Sequence, residues 1–130
     1  MNCLVLEDQQ ILLDLLGSIL ASFNEISAVF KADSIEAANN ISDDHKLDLA
    51  ILDIYLPDGH CLDLAQHLVS QHQNIKIIIL SGAAQEFVCP KSLREAIYGI
   101  IDKTDAFDAL RHCINVIVKP AHHELTQRQQ

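Results

Sequence analysis

Four places in the chain set a chemically capable side chain directly after an apolar run. They are Glu7-Asp8 after CLVL, Asp53 after LAIL, Ser81-Gly82-Ala83 after IKIIIL, and Asp102-Lys103 after YGII. A carboxylate at the edge of a core is costly unless something pairs with it. Glu7, Asp8 and Asp53 on one rim would repel one another unless a cation intervenes. Hard oxygen donors suit Mg²⁺, which keeps several waters and takes one or two carboxylates plus a phosphate oxygen. The backbone carbonyl of Tyr55, two residues past Asp53, offers a further oxygen. Lys103 can pair with Asp53 and then with a phosphoryl oxygen, and the Ser81 hydroxyl can donate to one. Asp53 would then be a nucleophile that forms an acyl phosphate, with catalysis by positioning and electrostatics. Each group also has an ordinary structural use. Asp8 can cap a helix, Asp53 can begin a turn, Ser81 can start a loop, and Lys103 can be solvated. Their joint occurrence at four run ends favours the chemistry.

Placing these groups requires alternating strands and helices. CLVL (3–6) reads as a strand. Ile11, Leu12, Leu15, Leu16, Ile19, Leu20 and Phe23 recur at helical spacing over 10–23. ISAVFKA (26–32) is a second strand. Asp33, with Glu36 three residues later, has the pattern of a capping box for a second helix that ends near Asp43-Asp44. LDLAILD (47–53) is a third strand, and 59–72 a third helix with Leu62, Leu64, Ala65, Leu68 and Val69 inward. IKIIIL (75–80) is a β-branched, buried strand. Residues 84–97 are weakly helical and interrupted by Pro90. YGIID (98–102) is a fifth strand, and Thr104 can cap a last helix over 105–119 that Pro120 stops. Apolar strands alternating with helices imply a doubly wound α/β sheet, all strands parallel and covered on both faces. In such sheets, sites form at the carboxyl ends of the strands, where strand order reverses. The four polar groups occupy those ends.

The bulk numbers exclude other classes. The 130 residues suit one domain, 1–119, with a polar tail at 120–130. A hydrophobic content of 49% argues against disorder. A net charge of −9 repels nucleic acid and anionic membrane. No apolar run reaches the length of a membrane span, and MNCLVLEDQQ has no signal-peptide pattern, so a cytoplasmic protein is expected. Cys3, Cys61, Cys89 and Cys113 form no CxxC pair and read as reduced, buried thiols. His67 and His72 are poorly spaced for one helix face, and His122 and His123 fall in the tail, so no structural metal site is expected from histidine.

VLED ending the first strand, LDIYLP around Asp53, LSGA after the fourth and IIDK after the fifth follow in a fixed order. In these four motifs the sequence resembles the receiver domain of bacterial two-component response regulators, over about residues 2–118. The resemblance implies a flavodoxin-like (βα)5 fold with strand order 2-1-3-4-5. It implies that Asp53 takes a phosphoryl group from the phosphohistidine of a sensor histidine kinase, with Mg²⁺ as cofactor. By position, Asp8 matches the direct metal ligand, Glu7 the outer acid, Ser81 the switch hydroxyl and Lys103 the lysine of the family pattern. The tail HELTQRQQ (123–130) looks like the opening of a LuxR-type helix-turn-helix domain. That likeness implies a transcription regulator whose DNA contacts belong to a separate C-terminal domain.

Three positions depart from the family pattern. Ile100 stands where an aromatic residue usually swings inward, and Tyr98 lies on the same sheet face at another depth. Cys61 replaces a glycine, so Gly59 is expected to supply the turn. Pro90 should shorten, kink or shift the fourth helix, whose region is the usual signalling surface. The last helix is apolar around too much of its circumference for one buried stripe. Phe107, Leu110 and Ile114, with Tyr98 and Ile100, are therefore expected to form an interaction face for a homodimer or an output domain, the alternative being a tightly buried helix. The alternative is a phosphorylation-independent docking module with a vestigial acidic site. An aspartyl phosphatase of the haloacid dehalogenase type would need an acid at Tyr55. A flavodoxin-like cofactor binder would place a phosphate against Glu7-Asp8.

Overall fold

The computed structural model describes residues 1–82 and 86–118. Five parallel strands form the sheet: β1 (Asn2–Leu6), β2 (Ala28–Ala32), β3 (Leu49–Asp53), β6 (Lys76–Ser81) and β7 (Ile97–Asp102), in the order β2-β1-β3-β6-β7. Counting sheet strands alone, this is the expected 2-1-3-4-5. A separate two-stranded hairpin, β4 (Tyr55–Leu56) and β5 (Gly59–His60), follows β3. The helices are α1 (Gln10–Ala21), α2 (Ile35–Asp44), α3 (Cys61–Gln71) and α4 (Ala106–Val118).

The central strands are buried on both faces, which is why they read as continuous apolar runs. Cys3, Val5, Leu49, Ile51, Ile78 and Leu80 pack with Leu13, Leu16 and Leu20 of α1 and Leu110, Ile114 and Ile117 of α4. Leu4, Leu6, Ala50, Leu52, Ile77 and Ile79 pack with Ala38 of α2 and Leu64, Ala65 and Leu68 of α3. Successive residues of each strand thus serve opposite layers.

Three local expectations need correction. The fourth helix is replaced: over 86–96 there is a single 3₁₀ turn, Lys91–Leu93. Pro90 is extended, with ψ of 152°. It lacks an N–H to continue a helix from 86–89. Leu93 is buried beside α3, and Phe87, Cys89 and Ala96 pack around the same core. Residues 83–85 lie outside the described residues, as does the tail 119–130 with its HELTQRQQ motif. At α2, the N-cap is Ser34 rather than Asp33, with Ser34 Oγ accepting from Ala37 N–H at 3.1 Å. Thr104 does not cap α4. It sits in a 3₁₀ turn, Lys103–Asp105, and donates its N–H and Oγ1–H to Asp102 Oδ1 at 2.9 and 2.8 Å.

Two residues with no predicted role hold the frame. His72 is buried, and its Nδ1 accepts from Leu47 N–H at 3.2 Å while Nε2 lies 2.8 Å from Ser42 Oγ. That histidine fastens the end of α3 to α2 and to the entry into β3. In β7, Gly99 lies against α4, where an added Cβ would stand 2.9 Å from Cys113 Sγ. Gly99→Ala should lower stability by about 1 to 3 kcal/mol, the usual cost of overpacking. Thermal unfolding of Gly99→Ala and of Gly99→Ala with Cys113→Ala checks this. The second change should recover most of the loss.

Candidate functional site

Register brings the predicted groups together. Leu6 pairs with Leu52 and Asp53 with Leu80, so the ends of β1, β3 and β6 align. Ser81 pairs with Asp102, which sets Lys103 at the end of the neighbouring strand. Glu7 N–H donates to Ala32 O at 3.1 Å, carrying the β1–β2 pairing one residue past the strand. Glu7 Oε2 in turn accepts from Gln9 N–H at 2.9 Å, which ties its carboxylate to the start of α1.

Lys103 bridges the two buried acids. Its Nζ lies 2.9 Å from Glu7 Oε1 and 2.9 Å from Asp53 Oδ2. The side chains of Glu7 and Asp53 are 0% and 1% exposed, and that of Lys103 is 18% exposed. Asp8 faces solvent beside them. Burial pushes the pKa of Glu7 up, against the opposing hydrogen bonds from Gln9 N–H and Lys103. Burial likewise pushes Asp53 up, and Lys103 again works the other way. For Lys103 burial acts downward, but its two carboxylate partners outweigh it and the net direction is up. A single ammonium thus faces two desolvated carboxylates and a third at the surface.

That arrangement has the character of a hard-cation site. Oxygens of Glu7, Asp8 and Asp53 lie within 4.8 Å of one another. Asp53 Oδ1 is buried and takes no hydrogen bond from the described residues, although a buried carboxylate oxygen ordinarily has a partner. An all-oxygen donor set with an unsatisfied buried oxygen fits Mg²⁺. Ser81, partly buried, closes the rim with its Oγ donating to Gly82 O at 3.2 Å.

Residues 3–115 match the response regulator receiver domain family. The chain belongs to that family. Transcriptional regulatory protein MalR of Bacillus subtilis is 32% identical over 101 residues, which cover 78% of this chain and 42% of that protein. Transcriptional regulatory protein CitB of Klebsiella pneumoniae is 27% identical over 111 residues, 85% of this chain and 47% of that protein. The receiver chain therefore spans about half the length of these curated relatives. Among solved structures, the RcsB response regulator of Salmonella typhimurium superposes with a TM-score of 0.76 at 20% identity, over 92% of this chain and 62% of that one. A CheY-like receiver domain protein from Methanospirillum hungatei gives 0.70 at 18% identity, over 85% and 88%. At those identities the likeness establishes the flavodoxin-like fold. Receiver domains are signalling domains that bind Mg²⁺ at an acidic pocket, and Glu7, Asp8 and Asp53 form an acidic cluster at this rim.

The remaining predicted positions of the receiver domain divide in two. Tyr98, Ile100 and Phe107 are exposed, at 49%, 53% and 44%. Tyr98 stands at the amino end of the sheet, with Lys76 Nζ 5.8 Å from its ring centre, well away from the acids. The extra residue of a β-bulge at Ile97–Tyr98 puts it there. Leu110 and Ile114, expected at an interaction face, are instead fully buried. They belong to the stripe Ala106, Leu110, Ile114 and Ile117 that seals α4 onto the sheet. The apolar excess of α4 shows at Phe107 and Val116. Gly59 supplies the turn, with φ of +148°, and Cys61 opens α3 as a buried residue. Sequence pattern leaves Asp58 unmarked, yet its Oδ1 and Oδ2 accept from Ile35 and Glu36 N–H, both at 3.0 Å. Its only signal was its place in the turn sequence Pro57-Asp58-Gly59. No helix among the described residues is long and apolar enough to cross a membrane. All four cysteines are free, Cys3 and Cys61 buried and Cys89 and Cys113 partly so.

Proposed function

We propose that this receiver domain is a phosphorylation-dependent switch, with Asp53 as the phosphoacceptor. The observation that carries the reading is the triad in which Lys103 Nζ holds Asp53 Oδ2 and leaves Asp53 Oδ1 unpaired. A carboxylate oxygen of Asp53 attacks the phosphorus of a phosphohistidine on a sensor histidine kinase. The P–N bond breaks, and the imidazole leaves with its electron pair. Lys103 stays beside the transferred group and donates to a phosphoryl oxygen, and Ser81 Oγ–H donates to another. Glu7, Asp8, Asp53 and the Tyr55 carbonyl would hold Mg²⁺. Bound there, the ion offsets charge on the transferring phosphoryl group. The new group brings about −1.5 to −2 charges to the rim. It shifts the population toward a packing in which the Ser81 loop closes on the phosphoryl oxygens. The output is transcription, through a DNA-binding domain C-terminal to this chain, in a cytoplasmic protein. The relatives' names and the HELTQRQQ motif support that part. Tyr98, Ile100 and Phe107 form the exposed face offered to a second copy or an output domain.

The test is incubation with Mg²⁺ and a small phosphodonor or beryllofluoride, followed by intact mass or binding measurements. A wild type that neither gains mass nor responds to beryllofluoride with Mg²⁺ sinks the switch reading. It leaves the docking module with a vestigial site.

Tyr55 bears on the lifetime of the product. Two residues past Asp53, its ring is half exposed and stands edge-on to His60, with ring centres 5.0 Å apart. There it can screen the acyl phosphate from attacking water. Tyr55→Ala should speed hydrolysis several-fold in a phosphate-release assay, and an unchanged or slower rate contradicts the shielding role.

A further inference from the structure

The acids of the rim sit on strand ends fixed by sheet register, but the stretch after Asp53 leaves the sheet. There β4 and β5 pair through Tyr55 with His60 and Leu56 with Gly59, and Cys61 N–H donates to Ile54 O at 2.8 Å across the base. So short a hairpin does not hold its own position in water. It has two anchors. Leu56 is buried in the core on the α2 and α3 side, and Asp58 at the turn reaches across to α2. Asp58 Oδ1 accepts from Ile35 N–H and Oδ2 from Glu36 N–H, both at 3.0 Å. These are the first two N–H groups of α2, which have no acceptor within the helix and carry the positive end of its dipole. The helix already has its own cap in Ser34 Oγ. The two Asp58 bonds therefore do more than start a helix; they join it to the hairpin. Gly59 permits the close approach, since a Cβ there would lie 3.2 Å from Ile35 Cδ1. The two N–H donors hold the Asp58 carboxyl below its usual range, so the clamp is charged at neutral pH.

We propose that Asp58 is a positioning residue of the acidic rim. By clamping the β4–β5 hairpin to the start of α2, it fixes the Tyr55 carbonyl and sets the affinity of the site for a divalent cation. This rests on the reading of Tyr55 O as an oxygen ligand. Two other accounts predict weaker cation binding in an Asp58 variant. One is simple loss of negative charge. The other is a loosened α2.

The experiment separates them by calorimetric titration of the 130-residue chain with Mg²⁺. It is run in about 1 M salt, where the screening length is roughly 3 Å and a distant exposed charge has little effect. Asp58→Ala should lower the affinity roughly tenfold, the low end for residues that orient a metal ligand. Asp58→Asn keeps one acceptor oxygen and should lose less, in the same direction. Ser34→Ala removes the helix's own cap without touching the hairpin and should bind like the wild type. Wild-type affinity in Asp58→Ala overturns the proposal, as does an equal loss in Ser34→Ala. If Asp58→Ala does not fold, Asp58→Asn carries the test, and wild-type affinity there overturns it. A wild type that binds no Mg²⁺ sinks the reading of the rim itself, and the clamp's role with it.

Discussion

Asp53→Asn should take up no phosphoryl group and, without Mg²⁺, should unfold at a higher temperature than the wild type. The first effect follows from the loss of the nucleophilic oxygen and should be complete by intact mass. The second follows from the charge balance of the triad. Lys103 faces both Glu7 and Asp53, so the buried group carries one negative charge in excess. Burial raises the pKa of both acids. An acid with a raised folded-state pKa binds more protons folded than unfolded. Stability therefore falls as pH climbs from its ordinary value to the folded one, and the cost is fully present above that window. A neutral amide at position 53 removes that cost while leaving Lys103 paired with Glu7. The expected gain is roughly 1 kcal/mol at pH 7, in the range typical of relieving an active-site compromise. It should vanish below pH 3.8, the ordinary value for aspartate, where the wild-type carboxyl is protonated as well. Saturating Mg²⁺ should reverse the order, because a ligand at 100 times its Kd stabilises the wild type by about 2.7 kcal/mol. Thermal unfolding of both proteins at pH 7 and pH 3, and at pH 7 with Mg²⁺, checks each part. A less stable Asp53→Asn protein in metal-free buffer at pH 7 contradicts the argument.

Lys103→Met should have the largest cost to the fold. It removes a cation that touches two buried carboxylates, and breaking a buried pair from one side costs about 3 to 5 kcal/mol. Some solvent reaches Lys103, so the lower end, about 3 kcal/mol, is expected at pH 7. The deficit should shrink as pH falls through the raised folded-state values of Glu7 and Asp53 and be gone below pH 3.8, the lower of their ordinary values, where both are neutral folded or unfolded. On the alkaline side the wild type carries the opposite signature. The Lys103 pKa is raised above 10.5, so the stability its ammonium confers is whole below that pH and is lost as pH rises through the folded value. Lys103→Met should lack that alkaline loss. Mg²⁺ should restore part of its stability by taking the place of the ammonium against the same oxygens. Denaturant unfolding across pH checks this. A variant as stable as the wild type at pH 7, or a deficit unchanged at pH 3, rules out the account.

The fold and the rim were legible in the sequence for one physical reason. Parallel strands covered on both faces must be apolar throughout, so the point where each run turns polar marks a carboxyl end. CLVL, LAIL and IKIIIL each gave a strand within two residues of its observed end, and Glu7, Asp53, Ser81 and Lys103 converge as their positions required. What was illegible depends on contacts distant in sequence. Nothing local distinguishes the turn residue Asp58 from a solvated one, because its partners are the N–H groups of Ile35 and Glu36. Asp33 and Ser34 are adjacent caps of similar propensity, and backbone geometry chose Ser34. Leu110 and Ile114 were misplaced because an apolar excess shows that some face is unburied without showing which one. Pro90 was read correctly as a disruption. Its extent was larger than expected, since Leu93 and Phe87 can cover the sheet without a helix.

The position of Lys103 along the chain also bears on how the molecule folds. Glu7 and Asp8 follow β1 and Asp53 ends β3; these strands are neighbours in the sheet and are complete early in synthesis. Their counter-charge, Lys103, directly follows the edge strand β7 and leaves the ribosome well after them. A nascent chain holding only β1, α1, β2, α2 and β3 would have to bring the acids together uncompensated and desolvated. That fragment is therefore a poor resting point, and docking of the last strand should be the event that locks the first. The same charge arrangement should thus couple the two ends of the domain in folding.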